Sequence, residues 1–253
     1  MRYFVVFLFL PLIGFGQSLT ANIDRLIVEK EFTKAEDTLQ SLLKKQPQNL
    51  EAIELLGDVY SNQRDWDRAI IQYEKLTELK TQEANYHYKY GGALSMKALS
   101  VNKLRALSYL DDMEDAFLKA ATLDSKHVNT RWALVRYYLE VPGIIGGSKE
   151  KAWLYTEELN GLSLVDGALS KGYYFETVDD FVQAESYYKK AVEVGNTWIC
   201  NKHLLDLYLK YNKPRQALRA MEAYYHLSTD DKALKVINKL TKDYGLSSKL
   251  ARE

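Results

Sequence analysis

The chain has 253 residues, with 34 Lys and Arg balanced by 34 Asp and Glu. That zero net charge excludes a dedicated nucleic-acid binder, whose footprint is a basic excess. It leaves no acidic tail either, and 47% hydrophobic residues supply a core that a disordered chain lacks. One cysteine, Cys200, excludes an intramolecular disulfide framework and any multi-cysteine zinc site, while 4 Pro, 13 Gly and 19 Tyr point to helices.

In chain order, Met1-Arg2 gives a positive charge, Tyr3 to Ile13 is almost wholly apolar, and Gly14-Phe15-Gly16 places small residues before Gln17. This is the order of a secretory signal peptide over 1–16, too short an apolar run to span a bilayer. It predicts an exported protein, periplasmic first, with secretion or outer-membrane association as alternatives. No membrane span is expected after cleavage. Cys200 stands between Ile199 and Asn201 in a helical pattern and is expected to be buried.

From there the sequence repeats. Ala35, Leu39, Leu42 and Pro47 precede Ile53, Leu56, Gly57, Tyr60, Ala69, Tyr73 and Leu76, and the offset from Ala35 to Ala69 is 34 residues. The same classes return at Ala168, Gly172, Phe175, Ala184, Tyr188 and Ala191, then at Leu204, Tyr208, Ala217 and Met221. The middle, 84–160, is out of phase. Tyr90, Gly91 and Leu94 open a helix whose partner, at Phe117 and Ala120, comes about ten residues late, which requires an extended helix or an inserted turn through Met96 to Arg105. Trp132, Leu134 and Tyr138 precede Ala152 with about five extra residues between their helices. A last helix over about 231–244 carries Leu234, Ile237 and Leu240 inward and Lys232, Lys235, Lys239 and Lys242 outward, with Gly245 as its stop.

This pattern resembles the tetratricopeptide repeat, a 34-residue helix–turn–helix unit. The resemblance implies an all-α, right-handed superhelical solenoid of about six units plus a capping helix, as a single repeat domain over 17–253. Each hairpin exposes an apolar face that only a neighbour can bury. Gly57, Gly172 and Ala69 then mark close helix approaches, and Tyr60, Tyr73, Phe175 and Tyr188 fill the wedge between hairpins, their hydroxyls free to reach water or backbone at the rim.

Residues for catalysis are few. The four His (His87, His127, His203 and His226) form no HExxH pair, and GxSxG, P-loop and dinucleotide fingerprints are missing from the sequence. His127, in the turn after Asp124-Ser125-Lys126, is expected to be solvated. The reading is a non-enzyme without metal or cofactor. The main irregularity is Val141 to Ser148, where Pro142 stops a helix, Gly143, Gly146 and Gly147 allow unusual backbone, and Ser148 caps the next helix. It is either a long connection with Ile144 and Ile145 tucked onto the stack, or a loop whose amides hold an anion or carboxylate. Similar P-x-x-x-G-G insertions resemble those of some exported bacterial repeat proteins.

The resemblance also implies a concave face lined by the first helices, which in this family binds a peptide or protein. The family's positions fall on Glu51, Glu54 and Asp58, then Asn85, Tyr88 and Ser95, then Asn129, Trp132 and Arg136. Asp166, Tyr173, Lys202 and Asp206 complete them. The Lys and Asn carboxylate clamp of peptide-binding members is absent. The groove candidates are therefore Tyr88, Asn129, Trp132, Arg136, Tyr173, Lys202 and Asp206, with Trp132 readable as binding hot spot or as core. Two functions follow: an envelope scaffold that holds a partner segment, or a small-ligand accessory of an envelope transporter, since some transporter-associated proteins are built from such repeats.

Overall fold

The computed structural model describes residues 14–250, so the signal-peptide reading falls almost wholly outside the described residues. Where the sequence suggests one domain over 17–253, the chain's contacts fall into two compact units, Met1–Ser125 and Lys126–Glu253. The boundary lies inside the irregular middle.

The first unit holds three hairpins. They are α1 (Gly14–Val28) with α2 (Phe32–Lys45), α3 (Leu50–Asn62) with α4 (Trp66–Leu79), and α5 (Ala84–Ser100) with α7 (Leu110–Leu123). Between the last two stand α6 (Lys103–Ala106) and a 3-10 turn, Leu107–Tyr109. Both expected solutions to the late phase are therefore used: α5 runs a turn longer than α3, and a short helical insertion follows it. The second unit holds α8 (Val128–Glu140) with α9 (Lys149–Leu162), α10 (Leu164–Thr177) with α11 (Phe181–Gly195), α12 (Trp198–Lys210) with α13 (Pro214–Ser228), and the cap α14 (Asp231–Tyr244). All regular structure among the described residues is helical, in six hairpins and a cap.

Local chemistry fixes the helix starts. Asn49, Asp65, Ser148, Asp180 and Thr197 each accept a backbone N–H of the first turn. The hairpin turns repeat as strictly as the helices. Lys30, Arg64, Asp179 and Asn212 all have positive φ. Each is followed by an amide that donates back to the preceding helix, Glu31 to Leu26, Asp65 to Tyr60, Asp180 to Phe175 and Lys213 to Tyr208, at 2.7–2.9 Å. These are four Schellman closures built without glycine. The two hairpins that lack this turn are the two with insertions.

Inside the hairpins small residues meet large ones. A Cβ on Gly57 would stand 2.6 Å from the Tyr73 ring, one on Gly91 2.8 Å from Phe117, and one on Gly172 2.4 Å from Tyr188. In the α8/α9 hairpin the corresponding positions are Val135 and Thr156, so the sizes exchange, and both are fully buried. Tyr73 and Tyr188 also meet the next hairpin, where Lys89 Nζ lies 5.7 Å from one ring and the His203 imidazole stacks at 5.3 Å on the other. The hydroxyls differ from expectation. They donate to carboxylates: Tyr60 to Glu36 (2.9 Å), Tyr73 to Asp58 (2.6 Å), Tyr188 to Glu176 (2.8 Å) and Tyr208 to Glu185 (2.7 Å). A buried phenol bonded to an ionised acid is a charge-assisted bond, stronger than one to backbone.

The cap buries Ala233, Ile237 and Leu240, with Gly245 at φ 62 closing it. Cys200 is buried, and its thiol accepts from Thr197 Oγ1 at 3.2 Å.

Candidate functional site

In the second unit α10 touches both α8 and α12, so these three first helices form one face. Asn129 and Arg136 are exposed on α8, Tyr173 is half-buried on α10, and Lys202 and Asp206 are exposed on α12. Trp132 bridges the core and the face. It packs partly buried against the core of the unit, while its indole N–H donates to Asp166 Oδ1 at 2.8 Å across to α10. Arg136 Nε pairs with Glu140 at 2.9 Å, and the Tyr173 hydroxyl donates to the same carboxylate oxygen at 2.7 Å. Burial, then Glu140, pushes the Tyr173 phenol well above its usual range. Lys202 pairs with Asp206 within α12.

Sequence reasoning missed the centre of this face. His203 stands half-buried beside Lys202, stacked on Tyr188. Burial lowers its pKa below the usual imidazole value, opposed by Asp206 and Glu176 and assisted by Lys202 and Arg136. Glu176 accepts from Tyr188 and from Lys210 Nζ, the latter at 3.3 Å. Asn129, Trp132, Arg136, Tyr173, Lys202 and Asp206 thus share one face with Glu140, Glu176 and His203. The repeat phase could have found His203, because it is the sixth residue of α12 as Lys89 is of α5.

Tyr88 belongs to the first unit, where its ring lies 6.3 Å from Phe117 and burial raises its phenol. The acidic character expected of this unit's first helices is offset by Lys89, which pairs with Glu54 (2.7 Å) and Asp58 (2.8 Å). Burial opposes the ammonium, yet these two carboxylates outweigh it and raise its pKa. Glu51 accepts from Thr20 at 2.7 Å, and Glu54 from Asn85 at 3.4 Å. An open cleft of about 260 Å³ lies elsewhere in this unit, lined by Thr77, His87, Tyr90, Asp112, Asp115, Ala116 and Lys119. Among the described residues no three of His, Cys, Asp or Glu converge as metal ligands.

The insertion loop closes on itself. Ile145 and Gly147 donate their N–H groups to Pro142 O, and Ser148 donates its own to Tyr138 O. Gly146 has φ 116, and a Cβ on Gly147 would lie 1.8 Å from Val141 O. Ser148 Oγ caps α9 and also donates to Glu150, which places a carboxylate where an anion would have to sit. These amides are spent, so the geometry favours the connection reading. Ile144 departs from that reading in one respect. It is 95% exposed rather than tucked onto the stack, because the three-residue 3-10 turn packs only Ile145 back. His127 is also more than solvated: its ring accepts the Thr130 N–H and caps α8.

Residues 26–91 match the tetratricopeptide repeat family. No curated protein matches the chain in sequence. A tetratricopeptide repeat protein from Parabacteroides merdae ATCC 43184 is similar in structure over 91% of this chain and 87% of its own, with a TM-score of 0.62 at 14% identity. PilF of Pseudomonas aeruginosa is similar over 90% and 97%, with a TM-score of 0.59 at 15% identity. A thermophilic tetratricopeptide repeat protein of Thermus thermophilus is similar over 91% and 100%, with a TM-score of 0.52 at 15% identity. The chain therefore has the tetratricopeptide repeat fold, and its residues 26–91 carry the family's sequence pattern as well.

Proposed function

We propose that the protein is a non-enzymatic interaction scaffold of the bacterial cell envelope, which holds a segment of a partner protein on the first-helix face of its second unit. Tetratricopeptide repeats mediate protein–protein interaction, and this is the starting point of the reading. The observation that carries it further is the make-up of the face formed by α8, α10 and α12. Arg136, Lys202 and Asp206 are exposed there around a half-buried Trp132 and His203, and each of these charges forms its ion pair with an acid or base on its own helix. Such pairs are worth little in water and can exchange for partner groups at small cost, while a desolvated aromatic supplies the anchor. The envelope address rests on the Met1 to Gly16 segment alone. The small-ligand reading has less support from the loop, where the Ile145, Gly147 and Ser148 amides are already bonded to backbone carbonyls.

The test is cross-linked affinity capture of the tagged protein from envelope fractions, beside an Arg136→Glu/Lys202→Glu variant whose circular dichroism and melt match the parent. A stoichiometric protein captured by the parent and lost with the variant is expected. Equal capture by both would move the interface off this face. Capture of nothing, with a metabolite raising the melting temperature, would replace the scaffold by the ligand reading.

A further inference from the structure

The insertion that disturbs the repeat phase leaves a surface that the hairpins do not cover. Met96 and Leu99 stand three apart at the C-terminal end of α5, and Leu104 and Leu107 stand three apart across α6 and its 3-10 turn. Both insertion elements touch α5. Leu104 is 81% exposed, Leu99 71%, and Met96 and Leu107 are also open to solvent. Leu104 is flanked by Lys103 and Arg105, both exposed, and neither makes an ion pair among the described residues. The nearest cation on α5, Lys97, is already held by Asp67 at 2.6 Å. The nearest acids in sequence, Asp111 and Asp112, open α7 and favour its helix dipole.

Four apolar side chains with two uncompensated cations among them demand an occupant that is apolar and negatively charged together. A rigid protein partner must match the shape of what it covers, whereas the most exposed of these side chains, Leu104 and Leu99, stand largely free of their own unit. An anionic bilayer surface adapts its shape, takes leucine tips at the acyl boundary and attracts each cation through its surface potential.

We infer that the α5–α6 corner of the first unit docks on anionic phospholipid, with Leu99, Leu104 and Leu107 entering the interface and Lys103 and Arg105 meeting headgroups. This attachment is peripheral and independent of the second-unit face.

The test places an environment-sensitive fluorophore on a Leu107→Cys variant of the full chain, since Cys200 is buried and does not compete for label. A local probe also separates this corner from any other part of the chain that meets lipid. Vesicles of phosphatidylcholine containing phosphatidylglycerol should shift the emission to the blue, and pure phosphatidylcholine should not. Adding Leu99→Ser and Leu104→Ser should weaken partitioning at least about tenfold. Lys103→Glu/Arg105→Glu should abolish it, as should about 1 M salt, where the screening length is about 3 Å. An unshifted probe on vesicles that sediment the protein would overturn the inference. So would equal shifts with both lipids, or a shift produced only by an acidic protein.

Discussion

Adjacent glycines in α5 give the sharpest test of the hairpin packing. Gly91 and Gly92 share one helix interior, and neither has the positive φ that would favour glycine. Helix propensity alone predicts that either Gly→Ala change stabilises by about 1 kcal/mol. A Cβ on Gly92 meets nothing within 4 Å, so that gain should appear in full. On Gly91 it would stand 2.8 Å from Phe117 Cε1 and 2.9 Å from Cδ1. Phe117 is only 3% exposed, so the ring cannot swing into water and must push the hairpin apart. Such overpacking costs about 1–3 kcal/mol, which equals or exceeds the propensity gain. The two variants should therefore differ by about 1–3 kcal/mol, with Gly92→Ala the more stable. In a chain of this size that separates their melting temperatures by at least about 2 °C. Parallel thermal melts and urea titrations by circular dichroism read the difference. Equal stabilisation by both would refute the reasoning that close helix approach requires glycine at this position, and with it the reading of Gly57 and Gly172.

Two further outcomes follow from the same geometry. Burial and the nearby Glu74 and Asp112 push the Tyr90 phenol up to about 12, and burial raises those of Tyr73, Tyr173, Tyr188 and Tyr208 further. These groups hold their protons in the folded chain after the unfolded chain begins to lose them near pH 10, so stability should be complete below pH 10 and fall as pH rises beyond it. The phenolate absorbance of these five tyrosines should then rise in a steep late step together with loss of helix, and completion of the tyrosine titration with the helices intact would contradict this. In the insertion loop, Gly147→Ala drives a methyl against Val141 O and should destabilise by about 1–3 kcal/mol. Gly143→Ala meets nothing and should be neutral or slightly stabilising by melt; equal effects would mean that the loop has no fixed conformation.

How much of this was legible beforehand depends on whether a feature repeats. Gly57 and Gly172 are readable because a missing side chain sixteen residues before an aromatic is a recurring size match, and α14 because its lysines and apolar residues alternate at helical spacing. The four hairpin turns recur just as regularly in space, but Lys30, Arg64, Asp179 and Asn212 have no common chemistry, so composition hides them. The carboxylate partners of the tyrosines were hidden for a different reason. Glu36 lies 24 residues from Tyr60 and Glu140 lies 33 from Tyr173, separations set by how hairpins stack rather than by any local rule. His203 combines both difficulties, since an isolated imidazole in a helix says nothing until Tyr188, Glu176 and Asp206 are brought around it.

The same distinction separates the two surfaces proposed here for function. A solenoid's regular positions are constrained by stacking, so a residue there must first satisfy its neighbours, as Trp132 does through Asp166 and the core before it can meet a partner. An insertion carries no such duty. Leu99 and Leu104 are 71% and 81% exposed, so they bury little against the first unit while their exposure costs solubility. Exposed apolar residues on an insertion that the repeat does not need therefore point to an external surface more directly than a residue such as Trp132, which serves packing first.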